Sequence, residues 1–217
     1  MRWVMKGFKP TAINKCTKQA LRKGLFVGLF FATLFAISTP IIASDIGVGL
    51  LKDFDGGLHA LNEYTGKGKW TIVMMWASDC GVCNAEVKHY VAFHNAHKDK
   101  DATILGVSLD GWSKKAEAEK FIQRHAVSFP NLIESPEKVA ALYSYVTGEQ
   151  WIGTPTFLVY SPAGELLAAQ VGAVSTDIIE SFIEKETAKR SVKESAKESA
   201  KESAKESAKE GEKQRVQ

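Results

Sequence analysis

Cysteine is scarce in this chain, with three among 217 residues. That is too few for a disulfide scaffold, and the one close pair lacks the four ligands on which a structural zinc site normally draws. Acid is missing from residues 1–44, which carry seven Lys/Arg (Arg2, Lys6, Lys9, Lys15, Lys18, Arg22 and Lys23). Residues 45–184 reverse that balance, with 11 Lys/Arg against 18 Asp/Glu, a net of about −7. The formal charge of +3 therefore belongs to the chain ends, and nothing in it points to a nucleic-acid partner.

Charge is also missing between Leu25 and Ser44. This stretch is roughly 20 residues long, enough to cross a bilayer core as a helix. Gly24, Gly28 and Pro40 interrupt it and it has no polar face, so a buried core helix fits poorly. Cations precede it and the first acid, Asp45, follows, which predicts a cytoplasmic amino terminus and an exported remainder. An uncut membrane anchor and a signal peptide cleaved after Ala43 or Ser44 both fit. No cysteine closely follows the run, which argues against a lipid anchor.

The other end lacks an apolar face. After Val192 the sequence repeats "KESA". Four residues turn a helix by about 400°, so every residue type winds around the axis. Glu194 sits three before Lys197, a mildly favourable spacing, while like charges recur four apart. A solvated extension over 187–217, partly helical or disordered, is expected, with no chemistry assigned.

The middle part, residues 46–186, has the composition to fold. "WTIVMMWA" (70–77) is a continuous apolar run, as in a strand buried on both faces. Helical spacing follows over 81–97, with Val82, Ala85, Val87, Val91 and Phe93 as apolar positions. "ATILGVSL" (102–109) is a second buried strand. Residues 113–125 predict a helix capped by Ser113, and 135–146 another, capped by Ser135 with Pro136 at its first position. A hairpin turning at 161–164 and an amphipathic helix over 175–185 complete the domain. A short extended piece near Leu58 precedes the first long strand. The order predicts one α/β domain, a mixed sheet with helices on both faces.

Cys80-Gly81-Val82-Cys83 lies between the apolar strand and the helix. Such a pair can hold metal, form an inert disulfide or carry electrons. A cysteine at the amino end of a helix has its thiolate stabilised by unpaired N–H groups and the helix dipole. That place belongs to Cys80, with Cys83 one turn in and more buried. Glu86 follows one turn further on the same face.

With Trp76 ending the strand and Thr154-Pro155 leading into the hairpin, these residues resemble the thioredoxin superfamily. More narrowly they resemble its exported TlpA/ResA-like thiol-disulfide oxidoreductases, over essentially all of residues 50–186. The resemblance implies a thioredoxin-like fold and a redox-active disulfide between Cys80 and Cys83 with no other cofactor. It implies catalytic roles for Cys80, Cys83 and Glu86, the last as a proton acceptor whose pKa desolvation raises. It also implies a substrate surface that includes Thr154, a cis Pro155 and Trp76. Trp112, Tyr143, Tyr145 and Trp151 read as packing residues, with a place in the substrate groove as the alternative for Trp151, four before Pro155. The implied partners are exported client proteins with disulfides, apocytochromes c among them, and a membrane electron donor. The implied place is the periplasm, tethered to the inner membrane or released.

Departures bear on direction. The family's usual Trp before the first cysteine is Asp79 here, a carboxylate that opposes thiolate formation. Thioredoxin's buried Asp is replaced by Met74, and neither Pro nor His separates the cysteines. Reduction of clients is favoured, with an oxidant or isomerase, or a copper metallochaperone of the same fold, as alternatives. His94 and His97, three apart on the helix, have no third ligand aligned and are expected to be solvated; no metal site is expected.

Overall fold

The computed structural model describes residues 49–215. The basic leader and the apolar segment lie outside the described residues. Among the described residues, no helix is long and apolar enough to cross a membrane.

Seven strands form one mixed sheet in the order β2-β1-β5-β4-β3-β6-β7. Its centre is β3 (Trp70–Trp76), whose seven side chains are all buried. Alternation sends Ile72, Met74 and Trp76 into one core layer and Val73 and Met75 into the other. Burying each large side chain stabilises by about 1.5–3 kcal/mol, which makes β3 a firm platform for the turn that follows it. It pairs in parallel with β4 (Ala102–Ser108) and antiparallel with β6 (Thr156–Tyr160). β5 (Asn131–Ile133) extends the parallel part, and β7 (Leu166–Val171) closes the hairpin with β6. β1 (Leu50–Lys52) and β2 (Leu58–Ala60) form the far edge; β1, at three residues, left no periodicity in the sequence.

Helices cover both faces, as expected. α1 (Gly81–His97), α2 (Lys115–Arg124) and α4 (Thr176–Arg215) pack on the Trp76 side, and α3 (Pro136–Thr147) on the Met75 side. Three local expectations need correction. The buried stripe of α1 is Cys83, Val87, Tyr90 and His94, with Phe93 beside it, whereas Val82 and Ala85 face solvent. Ser113 caps nothing, because Gly111 turns with φ 68° into a 3-10 turn over Trp112–Lys114, and α2 begins after it. His94 is buried rather than solvated, and its Nδ1 accepts the Ile104 N–H at 3.2 Å. β5 reaches only Gly106–Ser108 of β4, so that histidine satisfies a strand donor the sheet leaves open. Ser135 does cap α3, accepting from the Lys138 N–H at 3.4 Å.

α4 runs uninterrupted from the domain into the repeat. Ile179 and Ile183 are buried, Trp70 Nε1 donates to Thr187 Oγ1 at 3.2 Å, and Arg190 pairs with Glu165 at 2.6 Å. Beyond Arg190, residues 191–202 are exposed, and the chain stays helical to Arg215. Of the two expectations for this solvated extension, partly helical or disordered, the helical one holds, and the helix is continuous to Arg215. Serines there bond back one turn, Ser195 to the Ser191 carbonyl at 2.9 Å and Ser199 to that of Ser195 at 3.0 Å.

Candidate active site

The pairings Trp76↔Ser108 and Met75↔Thr156 bring three chain segments to one end of the sheet. These are the turn after β3, the turn after β4 and the 151–155 loop before β6. The first is only four residues long, Ala77 to Cys80, and Cys80 N–H closes it on the Ala77 carbonyl at 3.1 Å.

Cys80 is the N-cap of α1 in extended conformation, and its sulfur accepts the Cys83 N–H at 3.1 Å. Cys80 is half-buried, Cys83 has no exposure, and the two form a disulfide with Cα atoms 5.2 Å apart. The outer sulfur therefore lies at the positive end of a 17-residue helix, where a thiolate is favoured over a thiol. Asp79, next to it, is exposed.

Glu86 is half-buried, three residues after Cys83 and four before Tyr90. It makes no hydrogen bond or ion pair with a described residue. Its charge reaches Tyr90, whose phenol is pushed up to about 12, chiefly by burial and to a lesser degree by Glu86. The Tyr90 hydroxyl donates to the Val174 carbonyl at 2.8 Å, which ties α1 to the approach of α4.

The Thr154-Pro155 peptide is cis, and the Pro155 carbonyl accepts the Gly172 N–H at 2.8 Å. Pro155 is buried and immediately precedes the Met75↔Thr156 pair, at the dithiol end of β3. Trp151 turns inward rather than toward a groove. Its Nε1 donates to Thr156 Oγ1 at 3.2 Å, and the Thr156 hydroxyl donates to the Gly153 carbonyl at 2.5 Å, which shapes the loop. Ile152, unremarked in the sequence, is 76% exposed there.

Trp76 is a correction. It is 1% exposed, stacks on Phe121 at 4.2 Å and donates from Nε1 to Asn131 Oδ1 at 3.0 Å. It belongs to the core under the site and offers no surface to a substrate.

Asp110, Ser108, Asn84 and His125, which sequence reasoning passed over, surround the turn. Asp110, just past β4 and 9% exposed, accepts the Ser78 hydroxyl and the Ser108 hydroxyl at 2.7 Å each. It also accepts the Ser78 N–H, at 3.2 and 3.1 Å to its two oxygens. Asn84 Nδ2 donates to the Ser78 carbonyl at 3.0 Å and to the Cys80 carbonyl at 2.9 Å. His125 Nε2 lies 3.0 Å from Asn84 Oδ1; an amide oxygen only accepts, so the ring proton sits on Nε2. Burial, and next the adjacent Arg124, hold the His125 pKa below the ordinary imidazole value. Only the position of Asp110, directly after a strand parallel to β3, could have flagged it.

Among the described residues no group of three or more His, Cys, Asp or Glu side chains is placed to hold a metal ion.

The AhpC/TSA family model matches residues 49–169. The chain is 24% identical over 156 residues to the thiol-disulfide oxidoreductase ResA of Halalkalibacterium halodurans, covering 71% of this chain and 83% of that one. It is 27% identical over 155 residues to ResA of Geobacillus kaustophilus, covering 71% and 82%. Among solved structures, the thioredoxin domain of a thiol-disulfide oxidoreductase from Bacteroides vulgatus superposes with a TM-score of 0.51 at 26% identity, covering 63% of this chain and 90% of that domain. With a helix-capping cysteine disulfide-bonded to a buried one on this fold, the chain belongs to the AhpC/TSA family, as a thioredoxin-fold thiol-disulfide oxidoreductase.

Proposed function

We propose that the chain works outside the cytoplasm as a reductant of disulfides in exported client proteins, apocytochromes c among them. The observation that carries this reading is the asymmetry of the pair, a reachable Cys80 at a helix N-terminus over a Cys83 with no exposure.

The Cys80 thiolate attacks one sulfur of a client disulfide; that S–S bond breaks and the client's other sulfur leaves as a thiolate, which takes a proton. Cys83 then loses its proton and attacks Cys80 Sγ, forming the intramolecular disulfide and expelling the second client thiol. Two electrons pass from the dithiol to the client. Glu86 takes the Cys83 proton, because a thiol with no solvent contact needs a base within the protein. The backbone on either side of the cis Thr154–Pro155 bond lies beside an extended client segment. No cofactor is needed beyond the disulfide, which a membrane dithiol donor returns to the reduced state. The chain faces the periplasm, tethered to the inner membrane by the apolar segment or released after cleavage.

Asp79 supports the direction. An exposed carboxylate beside Cys80 disfavours the thiolate, and a pair whose reduced form is less stabilised is the stronger reductant. The test is Cys83→Ala in cells: clients should accumulate as mixed disulfides with Cys80. If that variant traps nothing and the wild type instead binds copper through both sulfurs, the reading fails in favour of a metal carrier.

A further inference from the structure

We propose that Asp110 is a positioning residue for the redox pair, holding the turn that delivers Cys80 to the helix end. The turn between β3 and α1 has four residues, and Ser78 is its hinge. All three polar groups of Ser78 are engaged: its N–H and hydroxyl on the Asp110 carboxylate, its carbonyl on Asn84 Nδ2. Asp110 is itself fixed, by the Ser108 hydroxyl on Oδ2 and by its own N–H on Ser108 Oγ at 3.1 Å. The Leu109 N–H on the Trp76 carbonyl at 2.8 Å ties the two strand ends together just beneath.

A carboxylate is suited to this place because it presents two acceptor oxygens and no donor, matching the three donors that converge on it. Removing it leaves a half-buried N–H and two hydroxyls without this acceptor and, among the described residues, takes away the side-chain anchor of the turn on that side. The two sulfurs would then spend less time at bonding distance, so the disulfide would form less readily. Asp110 thus acts through Ser78 on the equilibrium of the pair and touches neither sulfur.

This inference rests on Cys80–Cys83 being a working couple, and the wild-type control separates the two. The experiment equilibrates wild type, Asp110→Ala, Asp110→Asn and Ser78→Ala against glutathione buffers, with thermal unfolding measured alongside. Asp110→Ala is expected to move the equilibrium toward the dithiol by about tenfold, or about 30 mV for a two-electron couple. Ser78→Ala, which keeps the carboxylate and loses one donor, should move it in the same direction by less. Asp110→Asn keeps an acceptor for Ser78 and can donate to Ser108, and so should restore most of the difference. If Asp110→Ala does not fold, Ser78→Ala against Asp110→Asn decides the matter. Variants that change melting temperature but not the redox equilibrium would overturn the assignment. So would an Asp110→Asn shift as large as that of Asp110→Ala, since charge rather than positioning would then be responsible. A wild type that does not cycle would overturn this inference and the proposed function together.

Discussion

Cys80 and Cys83 are three residues apart on one helix turn, yet their surroundings assign them different work. Cys80 sits at the helix end with part of its surface open, and Cys83 is sealed beneath it. A buried thiol that must ionise needs help, which gives Glu86 a testable role. Positioned general bases contribute about 10²–10⁴-fold, so Glu86→Gln should slow release of client from the mixed disulfide by at least about tenfold. Formation of that mixed disulfide, followed by stopped-flow, should be unchanged; equal slowing of both steps would remove Glu86 from the resolving role. Gly106 makes a prediction on stability. A Cβ there would lie 1.8 Å from Asn131 Oδ1 and 2.9 Å from Trp76 Nε1, the two atoms that bond each other. Gly106→Ala should lower unfolding free energy in urea by about 1–3 kcal/mol, the usual cost of overpacking. A neutral result would show that Asn131 moves aside freely. The Cys80–Cys83 bridge and the cis bond before Pro155 were legible in the sequence because motif spacing and chain order are local properties. The sequence hid Asp110, whose main partner Ser78 is 32 residues away. Trp76 misled for the same reason: its burial is decided by Phe121 and Asn131, which pattern at a strand end does not reveal.

At the level of elements, β3, the span of α1 and the β6–β7 hairpin could be read because periodicity and turn residues coincide there. β1 has three residues, too few for any period to register, and β5, equally short, could be read only as an extended segment between two helices. The shortness of β5 has a consequence for pH. It leaves the Ile104 N–H to His94, whose imidazole is held below its ordinary pKa by burial first and by Lys98 next. The unfolded chain binds a proton at about pH 6.5 that folded His94 resists. Stability is therefore full above about pH 6.5 and falls as pH drops toward and through the lowered folded value. His125, also lowered, adds to that fall, while His59, raised chiefly by its bond to Glu63, opposes it. His94→Gln should flatten the fall of unfolding free energy between about pH 7 and 5; an unchanged slope would assign it to other groups. α4 offers a second test at this scale. Removing residues 194–217 should leave the melting temperature unchanged, because the last described hydrogen bond and ion pair with the domain are those of Thr187 and Arg190, and the last charge acting on it is that of Lys193 on Glu165. Removing 187–217 should cost about 1 kcal/mol from the Trp70–Thr187 bond alone. Equal effects from both truncations would mean that the repeat packs on the domain.

Across the whole molecule, one sheet end gathers the strand turns that hold the dithiol and the loop that carries the cis proline, while the charged helix leaves the body as a solvated arm. Among the described residues, both core layers are built from residues between Leu51 and Ile183, so residues 46–217 are suited to direct measurement. The most direct test is a redox titration of that protein in graded glutathione buffers, with the thiol state read by alkylation. A single reversible two-electron transition is predicted, with a midpoint below about −200 mV, on the reductant side and well away from the about −120 mV of strong oxidants. Cysteines that never bridge, or a midpoint near the oxidant value, would contradict it.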